Sequence, residues 1–342
     1  MDIELLKKLS LTFGPSGNEE EVRSLIKKLI RPFVDDVSVD KFGNVVAHKK
    51  GISPKAMLVA HMDEIGLMIK GCDMNGDIRC AMIGGIEPLN VIGDRVTITT
   101  KKGELHGVIT TAQISNAETT TEVPQVKDLI IDTGLTKKEL ESRGVQVGQY
   151  LNLNRYFLNL GSQKIVCGKA LDDRIGCYIL LKVAERLKRS KQEIFYVFTV
   201  QEEVGLYGAK TSIHGIDPDY AIIVDVTNAD DKNTNPTKVL GHGPTLTIKD
   251  ADMLSNPCID AWVQRAAKRK KSRLQLDVAD EGTTDALTIS IAKGGIPTTV
   301  LGVPVRNLHT TTSVAHTDDI DQCVIILEEI LKNPDPTCFS QG

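Results

Sequence analysis

Apolar residues along this chain fall into two textures. Residues 56–60 (Ala-Met-Leu-Val-Ala), 194–200 (Ile-Phe-Tyr-Val-Phe-Thr-Val) and 220–224 (Tyr-Ala-Ile-Ile-Val) are short, nearly unbroken apolar runs. Runs of that length and β-branched, aromatic content predict strands buried on both faces, as in a parallel sheet. Between them apolar residues recur at helical spacing: Val22, Leu25, Ile26 and Leu29, then Ile175, Ile179, Val183 and Leu187. Those positions fall on one face of a helix. Ser16-Gly17-Asn18-Glu19 has the S-x-x-E form of a capping box and predicts the start of the helix that runs to about Ile30. A short helix over 3–10 precedes it, and a strand pair at 37–40 and 44–49 turns at Phe42-Gly43. In the last third the alternation continues with strands at 246–248, 274–278 and 298–301 and helices near 207–214, 259–270 and 320–332. Strand and helix in alternation predict an α/β fold, a mixed, mostly parallel sheet flanked by helices.

The pattern changes over residues 66–163. Short β runs at 96–100, 105–110, 129–132 and 150–153 are separated by Gly, Asp and Lys turns, and the one helix signal is 136–143, with a T-x-x-E start and Gly144 beyond it. We expect a small β-rich domain inserted into an α/β domain made of 1–65 and 164–342. Its polar, threonine-rich stretch 116–126 is expected to be a long mobile loop.

The ends of the buried runs carry the chemistry. Run 194–200 stops at Gln201-Glu202-Glu203-Val204-Gly205, run 56–60 at His61-Met62-Asp63, and run 220–224 at Asp225. Strand 298–301 leads through Pro304-Val305-Arg306 to His309, and Asp172 stands where the helix over 175–187 begins. Open α/β sheets bind ligands at the carboxyl ends of their strands. Taken alone, Asp172 is an ordinary N-cap and Glu202-Glu203 a solvated loop. Taken together, His61, Asp172, Glu203, Asp225 and His309 form a sulfur-free set of two imidazoles and three carboxylates. Such donors suit Zn²⁺, Co²⁺ or Mn²⁺. Five ligands are too many for one open catalytic metal and about right for two that share a carboxylate and hold a hydroxide between them. Neighbours on an extended chain point opposite ways, so Glu202 is free to handle a proton while Glu203 holds a metal. Asp63, two residues from His61, has the spacing of a carboxylate that orients a metal-bound imidazole.

Composition narrows the partners. Of 342 residues, 41% are hydrophobic and 25% charged, and the net charge of −4 leaves no electrostatic footprint for nucleic acid or an anionic membrane. The one basic run, 265–273, follows a helical pattern and reads as a helix end. No apolar run approaches the roughly 18 residues of a membrane span, and Met1-Asp2-Ile3-Glu4 does not open a signal peptide. Seven scattered cysteines, an odd number without a Cys-x-x-Cys pair, predict reduced thiols and a cytoplasmic location. Gln163 replaces the first glycine that a phosphate loop ending at Gly168-Lys169 requires, which excludes nucleotide binding there. His48, His106, His214, His242 and His316 lack strand-end partners and read as surface or core histidines.

The motifs Pro15-Ser16-Gly17-Asn18-Glu19, Ala60-His61-Met62-Asp63-Glu64-Ile65-Gly66, Gly168-Lys169-Ala170-Leu171-Asp172-Asp173-Arg174, Gln201-Glu202-Glu203-Val204-Gly205, Val224-Asp225-Val226 and Arg306-Asn307-Leu308-His309 resemble those of the tetrahedral aminopeptidases. The likeness runs from the first helix to the last and includes the insertion. It implies a dimetal peptidase in which Asp172 bridges two divalent ions, Zn or Co, with His61 and Asp225 on one and Glu203 and His309 on the other. It makes Glu202 the general base and Asp63 the carboxylate that orients His61. It also implies that the insertion mediates dimerisation, that six dimers close a hollow dodecamer, and that peptides are trimmed inside from their N-termini. Asn307, Ser313 and Thr283 stand where the family carries tyrosine, glutamate and glycine. Two other readings are a glycoside hydrolase of the endoglucanase type using the Glu202-Glu203 pair, and a non-catalytic assembly protein on the same fold.

Overall fold

The computed structural model describes residues 1–119, 122–153, 156–188 and 190–338. Its centre is four parallel strands, in spatial order Gln192–Thr199, Ile52–His61, Tyr220–Asn228 and Thr298–Arg306, within an eleven-stranded sheet. Antiparallel strands complete both flanks: Val45–Lys49 and Asp36–Val39 beside Gln192–Thr199, and Ser313–His316, Ile165–Gly168 and Phe157–Asn159 beyond Thr298–Arg306. Thr245–Lys249 and Gln275–Val278 branch from the same Thr298–Arg306 strand.

The unbroken apolar runs are explained by what covers each face. Alternate residues of one strand enter different clusters: Leu58 and Ala60 pack with Tyr196, Phe198, Ile222 and Val224 beneath the helices Leu171–Arg186 and Thr317–Lys332. Met57 and Val59 pack with Val197, Ala221 and Ile223 beneath Tyr207–Ser212 and Ala286–Ser290. Both faces are dry, so period-two alternation is absent from the sequence.

Six short strands form a closed barrel in which Gly66–Cys72, Ile78–Ile83, Leu129–Asp132, Gly103–Thr111, Arg95–Thr100 and Tyr150–Leu153 are neighbours in turn. The barrel has its own core, including Leu67, Ile98, Ile109, Ile131 and Leu151. Closure removes the exposed edges that such short strands would otherwise present. The return to the main sheet comes before residue 164, because Phe157–Asn159 already pairs with Ile165–Gly168. The helix expected over 136–143 is Lys137–Ser142, and Thr136 with Glu139 forms its capping box. Ala112–Ser115 is a helical turn, and the 116–126 stretch lies partly outside the described residues.

Two expectations fail. Ser16 does not cap the second helix, Glu20–Ile30, whose N-terminus has no side-chain cap. Its hydroxyl donates instead to Asp63 Oδ2 at 2.6 Å. The reduced-thiol expectation also fails, since Cys258 and Cys338 form a disulfide with Cα atoms 5.5 Å apart. Eighty residues separate them, so no spacing betrays the pair. It joins the helix Pro257–Lys270 to the chain just past Thr317–Lys332, and the cysteine count therefore carries no compartment. Among the described residues no helix is long and apolar enough to cross a membrane.

Candidate active site

The parallel register brings the strand-end acids and histidine together. Thr199 pairs with His61 and Ile223 with Val59, which sets Asp225 level with His61 at the sheet's carboxyl edge. Asp172 enters from the start of Leu171–Arg186, where Asp172 and Asp173 depart from helical backbone and the Asp172 side chain is not a cap. His309 arrives from the turn after Thr298–Arg306 with φ of 55°. That turn is closed by Asn307 and Ser313: Asn307 Nδ2 donates to the Thr312 carbonyl at 3.2 Å, and the Ser313 hydroxyl to the Asn307 carbonyl at 2.9 Å.

Asp172 lies between the two histidines, its Oδ1 2.9 Å from His61 Nε2 and its Oδ2 3.2 Å from His309 Nε2. His61 Nε2 is 3.9 Å from Asp225 Oδ1, and His309 Nε2 is 3.5 Å from Glu203 Oε2. All five expected metal ligands thus belong to one neighbourhood. Ligand atoms of His61, Asp172 and Glu203 lie within 4.8 Å of one another, and so do those of His61, Asp173 and Asp225. Glu202 faces the same cavity, of about 940 Å³. Asp63 is fully buried below it, 3.5 Å from His61 Nδ1. His316 caps the helix Thr317–Lys332 through Nδ1, and His48 stacks on Phe195, so neither competes for the site.

The charges are poorly balanced without a cation. Burial pushes the Glu202 carboxyl well above the usual carboxylate range, against the attraction of His61. Burial and the Asp172 charge lift Glu203 to about 8, and burial lifts Asp225 to about 7. The hydrogen bond to Asp172, opposed by burial, raises His309 to about 9. Asp172 moves the other way: burial would raise it, but contacts with His309 and His61 hold it below the usual range. Buried Glu203 Oε1 and Asp173 Oδ2 have no hydrogen-bond partner. Crowded buried carboxylates with free lone pairs favour a cation, and nitrogen and oxygen donors without sulfur suit a borderline divalent metal.

Sequence reasoning missed three contributors. Asp173 is fully buried beside the cluster, with Oδ1 held by the Gly176 amide at 2.8 Å. Asp285 receives, at 2.6 Å, the hydroxyl of Thr199, the strand partner of His61. Ser16 reaches Asp63. Asp173 follows a recognised acid directly, and the nearly unbroken apolar run over 175–181 was the available signal.

A model of the family described as M42 glutamyl aminopeptidase matches residues 43–326. A putative aminopeptidase of Acetivibrio thermocellus is 37% identical over 330 residues, 96% of this chain and 98% of that one. Among solved structures, aminopeptidase APDkam598 from the archaeon Desulfurococcus kamchatkensis superposes with a TM-score of 0.93 at 35% identity, covering 98% of this chain and 96% of the other. The TET1 peptidase of Pyrococcus horikoshii, which can assemble into a tetrahedron or a large octahedral shell, gives 0.87 at 32% identity over 96% and 98%. These likenesses span the sheet, the barrel and every strand end just described, and they decide against the glycosidase and the non-catalytic readings: the chain belongs to the M42 family of aminopeptidases and is a peptide-bond hydrolase.

Proposed function

We propose that the chain is a two-metal aminopeptidase that removes N-terminal residues from short peptides. His61 and Asp225 would hold one divalent ion, His309 and Glu203 the other, and Asp172 would bridge them. The carrying observation is the placement of Asp172, with one carboxylate oxygen toward each histidine. Two cations, Zn²⁺ or Co²⁺ by the donor set, supply Lewis-acid polarisation of a water and of the scissile carbonyl when bound. Glu202 takes the proton of the attacking water and delivers it to the leaving amine nitrogen. A carboxylate partly withdrawn from water is less well solvated when ionised, and therefore more basic, than one at the surface. Asp63 receives the His61 ring from below and fixes its orientation.

The insertion expected over 66–163, between 1–65 and 164–342, would be the dimerisation domain, with the barrel as its folded body and dimers assembling into a hollow tetrahedral dodecamer. The shell formed by the Pyrococcus horikoshii relative supports this, as do exposed apolar side chains on the barrel such as Met74 and Val147.

Metal analysis combined with hydrolysis of aminoacyl-anilides tests the reading. We expect about two divalent ions per chain, loss of hydrolysis with a strong chelator, and recovery with Zn²⁺ or Co²⁺. Hydrolysis that survives complete removal of metal would overturn it. Light scattering gives the assembly.

A further inference from the structure

The two imidazoles of the site are supported very differently. His61 ends a central strand, pairs in register with Thr199 on a parallel neighbour, and is 3% exposed. His309 sits in the loop of a hairpin: Thr298–Arg306 and Ser313–His316 pair antiparallel, Val305 with Ala315 and Arg306 with Val314, and residues 307–312 join them. Its side chain is 36% exposed. Several hydrogen bonds of the loop close on the loop itself, among them the Thr310 hydroxyl to the Asn307 carbonyl at 2.7 Å and the Thr312 amide to the Thr310 hydroxyl at 3.0 Å. Such bonds set its shape and leave its placement to outside contacts. At the base of the hairpin Arg306 forks onto Asp231, with Nε at 2.7 Å and Nη2 at 2.5 Å. Leu308 is partly buried against the main core. Past His309, the buried Thr311 donates to Asp94 Oδ2 at 2.7 Å across 217 residues, and the Tyr156 phenol lies beside the same hydroxyl. Asp94 stands on firm backbone at the head of Arg95–Thr100: its amide donates to the Val91 carbonyl at 3.0 Å, and its carbonyl accepts from the Ile109 amide at 2.9 Å.

We infer that Asp94, on the barrel side, is a positioning residue for His309: through the Thr311 hydroxyl it tethers the hairpin loop and so holds the imidazole at the ion site it would share with Glu203. The inference rests on the two-metal reading and adds to it the contact on which one of the two ion sites depends. A hydrogen bond to a carboxylate is short and directional, and it fixes the angle of a loop. An apolar contact such as that of Leu308 has no preferred direction. Side chains that bind a metal must be held to within about 0.5 Å of the productive geometry, so a loop free to rock would weaken its ion. His61 and Asp225 stand on paired strands and need no such tether. Loss of the Asp94 contact is therefore felt at one ion and not at the other.

Calorimetric titration of Zn²⁺ into the chelated full chain separates the two ions, and His309→Gln marks the step that belongs to His309. Thr311→Val keeps the shape of the side chain and removes the donor. It should weaken that step by about tenfold, the scale of one hydrogen bond to a charged acceptor, and leave the other step unchanged. Asp94→Ala should do the same. The double variant should lose no more than about twofold beyond either single one, because both substitutions remove one contact. Thr311→Ser keeps the hydroxyl and should bind within about twofold of the parent. Melting temperatures near that of the parent separate a lost tether from a lost fold. Equal weakening of both ions, additive losses in the double variant, or no weakening at all would overturn the inference. If the parent binds fewer than two ions, the two-metal reading fails, and hydrogen exchange of the metal-free chain decides the tether: faster exchange of the 307–313 amides in both Thr311→Val and Asp94→Ala upholds it, and unchanged exchange removes it.

Discussion

The backbone amide of Glu202 donates to Asp63 Oδ1 at 3.1 Å, across 139 residues of chain. The other oxygen of the same carboxylate accepts from the Glu203 amide at 3.3 Å and from the Ser16 hydroxyl at 2.6 Å. Asp63 therefore meets more than its chain neighbour His61. Its carboxylate joins the turn that carries both glutamates directly to the chain just after the strand that carries the histidine.

Asp63→Asn tests this arrangement with almost no change of shape. An amide has one acceptor oxygen where the carboxylate has two, so its NH₂ group must face a donor, either a backbone N–H or the Ser16 hydroxyl. We expect metal affinity and kcat to fall by about 10–100-fold, the usual effect of losing a partner that orients a metal ligand. Circular dichroism should stay native, and Ser16→Ala should give a smaller loss of the same kind. Normal metal content and normal kcat in Asp63→Asn would remove Asp63 from the site.

Glu202→Gln separates the proton carrier from the ligand set. Glutamine keeps the size and the backbone contact to Asp63 but cannot accept the water's proton. Turnover should fall by about 10²–10⁴-fold, the typical contribution of a positioned general base, while metal content stays near that of the parent. Glu203→Gln should behave differently, losing metal as well as turnover. If the two variants lost metal equally, Glu202 would be a ligand and the base would lie elsewhere.

The barrel touches the site at two glycines. A Cβ on Gly85 would lie 2.9 Å from His309 Nδ1, and one on Gly84 would lie 3.0 Å from Glu203 Oε2. Thr311, two residues past His309, donates to Asp94 of the barrel region at 2.7 Å, and Tyr150 of the barrel donates to the Ser16 carbonyl at 3.2 Å. Gly85→Ala should therefore push His309 off its position beside Asp172. Geometric tolerance at such sites is tight, and a 1 Å displacement can cost about 10²-fold in rate. We expect a fall in kcat with a Tm within a few degrees of the parent. Unchanged kinetics would mean that His309 moves without consequence.

How much of this was legible in the sequence follows from where the information is local. Four of the five candidate ligands could be read because each terminates or follows an apolar run, and a parallel sheet brings such ends to one edge; Asp172 could be read because it stands where a helix begins. Ser16 could not be read correctly, because S-x-x-E describes a helix cap equally well, and only the fold reveals that Asp63 takes the hydroxyl. Asp285 was passed over because its partner, Thr199, is remote in sequence and neutral. The strands Gly66–Cys72 and Ile78–Ile83 escaped because Lys70, Arg79 and their neighbours break any clean alternation in a barrel too small to bury a full face. The Cys258–Cys338 bond and the contacts of Gly84 and Gly85 are tertiary facts with no local signature.

The metal-free chain should lose stability as pH rises, the reverse of a protein held by salt-bridged acids. Glu203 at about 8 and Asp225 at about 7 are raised above their unfolded values, and His309 at about 9 is raised above its own. Each group therefore binds protons more tightly in the folded state. Its stabilising contribution is complete below the unfolded pKa, about 4 for the acids and 6.5 for histidine, and disappears as pH climbs through the folded value. Asp172, held low by the two histidines, works in the opposite sense, but only below the ordinary aspartate range. Between about pH 5 and 9 the sum has one sign. After exhaustive chelation, Tm measured across that range should fall steadily. Metal binding requires the same groups to be deprotonated, so added Zn²⁺ should raise Tm little near pH 5 and progressively more toward pH 8, and binding should release protons to the buffer. A chelated protein whose Tm rose over this window would show that the carboxylates are ionised and satisfied without a cation, and the two-metal reading would lose its electrostatic basis.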